Sequence, residues 1–115
     1  NGAGTWMYRF SWDSRAFDGQ FGAAHALEIP FAFNTIDRPG VDVFLGPGDT
    51  PTALAETIHD AWIAFIRGGD PSTATLGEWP TYDPQRRAVM DLDDECGLVD
   101  DPEADERRLW EDLVR

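Results

Sequence analysis

The chain has 115 residues, of which 42% are hydrophobic, and its formal net charge at pH 7 is −13. This length allows one domain with a modest core, and an apolar content that includes five Trp and seven Phe excludes a disordered chain. The negative field repels phosphate backbones and anionic lipid headgroups, so we expect neither nucleic acid nor a membrane as partner. The single cysteine excludes an internal disulfide, and the compartment stays open.

The first predicted element is a β-strand over residues 5–12. Large aromatic side chains alternate with other residues along this stretch and share one face: Trp6, Tyr8, Phe10 and Trp12. A period of two with aromatic enrichment is typical of a strand, and such a strand needs pairing neighbours and covering layers. Only two short stretches offer further strands, Val41–Leu45 and Ala88–Leu92, so we expect most of its sheet to come from another part of the protein.

A polar, glycine-rich loop over residues 13–24 leads into an apolar segment that continues to Phe33, where Pro30 interrupts any long helix. Within it, His25 stands among small residues, three positions before Glu28. A histidine on a loop after a strand is accessible to a reacting group, which favours a general base. By itself, a lone histidine can equally be a packing residue, and His25 with Glu28 could ligate a metal. No third ligand stands at a fixed spacing, so we expect no metal and no cofactor.

The clearest helix is predicted between Thr50 and Gly68. Thr50 is a suitable N-cap, Pro51 suits the first helical position, and Gly68 suits the C-terminal cap. The helix carries His59, which we expect at its surface or near its cap. Apolar residues recur at helical spacing in one stripe that is expected to face a core: Leu54, Ile58, Ala61, Trp62, Phe65 and Ile66.

The last part of the sequence is acidic. Residues 91–106 contain nine acidic and no basic residues, which predicts a solvated surface segment with Cys96 as a free thiol. The alternative is a calcium site, although the segment lacks the residue order and the glycine of a Ca²⁺ loop. The oxygen ligands of such a site would be Asp91, Asp93, Asp94 and Glu95. Asp101-Pro102 opens a second helix, whose apolar stripe is also expected to face a core: Leu109, Trp110, Leu113 and Val114.

Four segments follow one another in an order that indicates a family. The stretch 22–33 places a His, two residues and a Glu before an apolar, Phe-rich continuation. Residues 62–71 (WIAFIRGGDP) form the end of a helix with a Gly-Asp-Pro turn, residues 78–83 (EWPTYD) contain Trp-Pro-x-Tyr, and an acidic helix comes last. Together these segments resemble the type-B carboxylesterases, the cholinesterase-like branch of the α/β-hydrolases, over nearly all 115 residues.

The resemblance implies an α/β fold. Residues 1–115 would be the C-terminal portion of an α/β-hydrolase domain, with the last core strand or strands, the histidine loop and late helices, and would be incomplete as a stand-alone fold. It also implies that His25 is the triad base and that Glu28 supports the local structure. Ala26 stands where the family frequently has Gly. No Gly-x-Ser-x-Gly elbow is present, and the family order is Ser, acid, His, so the nucleophile, the acid and the oxyanion hole would lie upstream.

The expected function is therefore that of a segment of a serine carboxylic-ester hydrolase, which contributes a general base and acid. The partners implied are a small-molecule ester and either the missing N-terminal part of the same enzyme or a second copy of the chain. The isolated chain should be inactive. The alternative is a non-catalytic, truncated α/β-hydrolase-like module that acts through self-association or binding, with its aromatic strand face buried in an oligomer.

Overall fold

A computed structural model describes residues 3–114. Their regular elements are three strands, four helices and a 3₁₀ turn over Ala16–Gly19. The strands are β1 (Tyr8–Phe10), β2 (Ala88–Leu92) and β3 (Gly97–Asp100), and the helices are α1 (Ile29–Ala32), α2 (Val41–Leu45), α3 (Thr52–Gly68) and α4 (Ala104–Val114). None of these helices combines the length and apolar character needed to span a bilayer.

The sheet has the order β1-β2-β3. Strand β1 runs parallel to β2, with Tyr8 opposite Met90 and Phe10 opposite Leu92, although about eighty residues separate the two strands in sequence. Strand β3 returns antiparallel beside β2. The predicted strand over residues 5–12 is thus confirmed in its centre, and the predicted strand over Ala88–Leu92 is its direct neighbour. Within the described residues, β1 pairs with β2 alone and its other edge is open.

Two assignments of secondary structure differ from the sequence prediction. The stretch Val41–Leu45, a candidate strand, is helix α2, and its buried Leu45 and half-buried Val41 are spaced as on one helical face. Strand β3 lies inside the acidic segment that was predicted to be solvated surface. All four of its residues are exposed, so no buried face marks it in the sequence, whereas the predicted strand β2 is almost entirely buried.

Helix α3 begins one residue later than predicted. It runs from Thr52 to Gly68, Pro51 takes the N-cap position, and Gly69 ends the helix with a φ of 75°. Its stripe is divided along its length. Leu54, Ile58 and Ala61 are buried in the core, whereas the later members are exposed by 40% or more: Trp62, Phe65 and Ile66. The second half of α3 therefore presents an apolar surface where a core contact was expected.

Helix α4 has no buried residue between Ala104 and Val114. Its stripe, predicted to face a core, is exposed throughout: Leu109, Trp110, Leu113 and Val114 are between 67% and 80% accessible. Arg107 fixes the helix to the segment before it, because its guanidinium donates to Asp101 at 2.7 Å and to Glu111 at 2.6 Å. The hydrogen bond from Arg107 lowers the pKa of Asp101. Ion pairs thus hold α4 in place while its apolar face stays uncovered.

The loop after β1 crosses the end of α2 in close contact. Gly46, directly after α2, has a φ of 82°, and a Cβ there would lie 2.1 Å from the backbone nitrogen of Ala16. Arg15 reinforces the crossing, since its backbone N–H donates to Leu45 and its side chain donates to the carbonyl of Asp49 at 2.7 Å. Only glycine combines this conformation with this approach.

We expect Gly46→Ala to lower the free energy of unfolding by about 2 to 5 kcal/mol, as a positive φ costs about 1 to 2 kcal/mol and overpacking about 1 to 3 kcal/mol. Gly40→Ala is the matched control: Gly40 has a φ of 92°, but a Cβ at that residue would meet no described atom within 4 Å, so the variant isolates the cost of backbone conformation. Urea unfolding of the two variants measures the difference. Equal losses would contradict the close crossing.

Candidate active site

His25 lies on a tight turn between the loop after β1 and helix α1. The backbone N–H of Leu27 donates to the carbonyl of Ala24 at 3.2 Å, so His25 and Ala26 are the two central residues of the turn. The imidazole is exposed, and its neighbours Ala23, Ala24 and Ala26 leave space around it. The structure therefore holds this side chain by its backbone and leaves the ring accessible.

Ala26 has a φ of 67°, in the left-handed region that non-glycine residues rarely adopt. A positive φ at the third position of a four-residue turn is a requirement that glycine usually meets. This chain meets the requirement with alanine, at a cost of about 1 kcal/mol. Backbone strain of this kind often accompanies functional sites.

Glu28 ends the turn and lies on the strand side of the site. Burial raises the pKa of Tyr8 in β1, and the negative charge of the nearby Glu28 carboxylate raises it further. The backbone carbonyl of Glu28 accepts from Ala32 at 2.9 Å and so opens helix α1. Within the described residues no hydrogen bond or ion pair joins Glu28 to His25. Glu28 therefore connects the histidine turn to helix α1 and lies near strand β1.

Ser14 joins the three segments around the site, and sequence reasoning missed it. The side chain is 1% exposed, and its hydroxyl donates to the carbonyl of Phe44 and accepts from the N–H of Ala16 at 3.0 Å. Its backbone N–H donates to Gly22, three residues before His25, at 3.1 Å. The only signal for this role in the sequence is a serine two residues after the predicted aromatic strand, which is a weak one.

The cavity beside His25 is apolar. It measures about 390 Å³, and the rings of Phe21 and Phe44 line it with centroids 6.4 Å apart. Thr35 is the only other polar side chain among its described lining residues. Neither phenylalanine was identified as a site residue from the sequence, because the two lie 23 positions apart and meet only through the junction at Ser14.

The other residues considered from the sequence, His59, the acidic segment and Cys96, make contacts within the fold. His59 is half-buried and not at the surface as expected: its Nδ1 donates to the carbonyl of Ala32 at 2.8 Å and so ties α3 to α1. In the acidic segment, Asp91 accepts from Arg9 and Ser11 across the sheet. No group of three or more potential metal ligands occurs in residues 3–114. Cys96 is a free thiol whose pKa is raised by burial and by nearby carboxylates.

The carboxylesterase family model matches residues 1–110. The chain belongs to the carboxylesterase family. Para-nitrobenzyl esterase of Bacillus subtilis is 37% identical over 108 residues, which cover 92% of this chain and 21% of that protein. Phenmedipham hydrolase of Pseudarthrobacter oxydans is 41% identical over 96 residues, or 80% of this chain and 19% of the relative. The chain thus spans about a fifth of the length of the curated relatives it matches.

Solved structures agree with this assignment. A carboxylesterase of Geobacillus stearothermophilus superimposes with a TM-score of 0.78 at 38% identity and covers 95% of this chain but 22% of that one. The resemblance stated from the sequence is therefore confirmed at the level of family, and so is the expectation of a partial α/β-hydrolase fold. The small mixed sheet and its helices are a part of that larger fold.

We expect Ala26→Gly to raise the free energy of unfolding by up to about 1 kcal/mol, because glycine adopts a positive φ without strain. Ala23→Gly is the matched control, since Ala23 is exposed and has no positive φ. There, the more flexible residue should be neutral or destabilising. Thermal unfolding of both variants distinguishes them; destabilisation by Ala26→Gly would contradict the turn geometry.

We expect Ser14→Ala to lower the free energy of unfolding by about 1 to 3 kcal/mol, because it removes the hydrogen bond to the Phe44 carbonyl in a buried position. Thr57→Ala is the control, since that hydroxyl bonds within helix α3 at an exposed site. Amide hydrogen exchange should also speed up over residues 22–28 in Ser14→Ala alone. Unchanged exchange there would show that Ser14 does not hold the histidine segment.

Proposed function

We propose that this chain is the histidine-bearing segment of a serine carboxylic-ester hydrolase and that His25 is its general base and acid. The observation that carries the proposal is an accessible imidazole held on a strained turn after strand β1, in a chain of the carboxylesterase family. Strand, loop and histidine occur in the order that a Ser-His-acid triad on this fold needs. The names of the relatives, several of them esterases, support the same substrate class.

The chemistry follows from the imidazole. Neutral His25 would accept the proton of the nucleophilic serine as that oxygen attacks the ester carbonyl, and would return it to the departing alcohol. A water molecule would then be activated in the same way to hydrolyse the acyl-enzyme. Glu28 would affect this cycle only by positioning the turn, since it links the turn to α1 and lies near Tyr8. The acid of the triad would come from another part of the enzyme.

The serines of this chain do not suit the nucleophile. Ser11 donates to Asp91, and Ser14 donates to the backbone of Phe44. Ser72 accepts from the N–H of Trp79 at 2.9 Å in a turn. None lies in a Gly-x-Ser-x-Gly elbow. We therefore propose that the nucleophile, the acid and the oxyanion hole belong to an upstream part of the same enzyme, and that these residues alone do not hydrolyse esters.

Three uncovered features support association with such a part. Strand β1 has an open edge within residues 3–114, and the stripe of α4 is exposed. In addition, the buried indole Nε1 of Trp79 has no hydrogen-bond partner among the described residues. Trp79 lines a second, aromatic cavity of about 270 Å³. Buried donors are normally paired, so an acceptor from a covering segment would satisfy this one. Each feature is what removal of the rest of an α/β sheet would leave.

A second candidate function is that of a non-catalytic module which associates with itself. The observation in its favour is the stripe on α4, since an amphipathic helix without a buried residue can pair with a second copy. Light scattering at several concentrations distinguishes the candidates. A stable homodimer that does not dissociate when the upstream part is added would favour the module.

The function is tested with short-chain nitrophenyl esters. We expect no turnover by residues 1–115 alone, and turnover when they replace the matching fifth of the Bacillus subtilis para-nitrobenzyl esterase. In that chimera His25→Ala should lower kcat by about 10³-fold or more, because the serine loses its general base. His59→Ala is the control, as His59 bonds to the backbone carbonyl of Ala32 and does not line the cavity beside His25. Near-unchanged turnover in His25→Ala would remove the proposed role.

A further inference from the structure

The cavity beside His25 has a lining that the proton-transfer role does not explain. Phe44 is 54% exposed, and its ring lies next to that of Phe21, tilted by 38°. Neighbouring aromatic rings that line one cavity form a surface with an affinity for apolar groups. The only polar side chains in the described lining are His25 itself and Thr35, so these residues offer no group that would recognise a charge.

The two rings are held firmly where they are. Phe44 is the residue whose carbonyl accepts from the buried Ser14 hydroxyl, and Phe21 directly precedes Gly22, whose carbonyl accepts from the Ser14 N–H. A further ring, that of Phe17, packs edge-on against Phe21 at 6.1 Å. One buried serine therefore fixes the backbone beneath both rings and the approach to His25. Such pre-organisation is what a substrate-positioning surface needs.

We propose that Phe21 and Phe44 form the wall that receives the apolar group of the ester and so determine which esters this enzyme prefers. The inference rests on the proposed function, because a carbonyl within reach of His25 must carry its substituents into the space beside the imidazole. The ligand is a neutral ester with an alkyl or aryl substituent on its acyl or its alcohol side. Besides His25, Thr35 is the one polar side chain among the described residues that line this cavity.

The experiment uses the chimera described above and two substrate series. Nitrophenyl acetate to nitrophenyl hexanoate varies the acyl group, and ethyl acetate to hexyl acetate varies the alcohol. We expect Phe44→Ala to reduce the preference for the long over the short ester, measured as the ratio of kcat/KM values, by about tenfold in one series, and that series identifies the group that the wall receives. Phe44→Leu should retain most of the preference, and Phe21→Ala gives an independent measurement on the other ring.

Phe33→Ala is the matched control, since Phe33 is 71% exposed and does not line this cavity. An equal loss for all esters in Phe44→Ala, together with a lower Tm, would mean that an upstream segment covers the rings, and would overturn the proposal. So would ratios that stay unchanged in both series.

The two proposals fail differently. A chimera that folds with a Tm close to that of the parent but hydrolyses no ester, or one in which His25→Ala stays active, contradicts the proposed function. Loss of activity in His25→Ala with unchanged selectivity in Phe21→Ala and Phe44→Ala contradicts the aromatic wall alone.

Discussion

The structure depends on the contact of Phe31 with strand β1. Phe31 is fully buried, and its ring lies 5.1 Å from that of Phe10 and 5.4 Å from that of Trp12. This contact returns the chain to the sheet after a loop of about twenty residues, and helix α1, which carries Phe31, also packs on α3. The position of His25 between strand and helix follows, because both ends of its segment are fixed in one core.

Inside this closed loop, polar contacts place the histidine more finely. The buried Ser14 connects the start of the loop to Gly22 and to the end of α2, and Gly46 allows the backbones to cross. The turn then takes a positive φ at Ala26, which aims the chain into α1. The hydrophobic contact of Phe31 thus fixes where the segment that carries His25 ends, the hydrogen bonds of Ser14 fix the course of its backbone, and the positive φ of Ala26 fixes the direction in which the chain enters α1. Each constraint acts at shorter range than the one before.

The extent of the buried core also explains which apolar surfaces are exposed. The buried core takes its residues from α1, α2, the first half of α3, β2 and the loops between them, and β1 adds the half-buried Phe10. It leaves the second half of α3, the open edge of β1 and the stripe of α4 uncovered. Helix α4 keeps its place through Arg107 and its carboxylates, which need no covering layer. The core therefore fixes the turn that carries His25, whereas these three apolar surfaces lie outside the core of residues 3–114. The large negative charge limits unspecific association of these surfaces.

The sequence by itself determined the features that depend on local pattern. The aromatic alternation predicted β1, helical spacing and terminal residues predicted α3 to within a few positions, and Pro30 limited the helix after His25. The order of its motifs indicated the family. The proposed role of His25 also came from that order, and it remains a prediction until a catalytic assay tests it.

Only the tertiary structure decided the rest. The five residues Val41–Leu45 fit a strand or a helix in isolation, and the crossing at Gly46 selects the helix. Strand β3 has no buried face, so it exists through its pairing with β2 and leaves no pattern in the sequence. The stripe of α4 looks like a core face in sequence, but burial depends on a neighbour that periodicity cannot supply. Periodicity records which side of an element is apolar, whereas its partner is fixed by contacts between residues far apart in the chain.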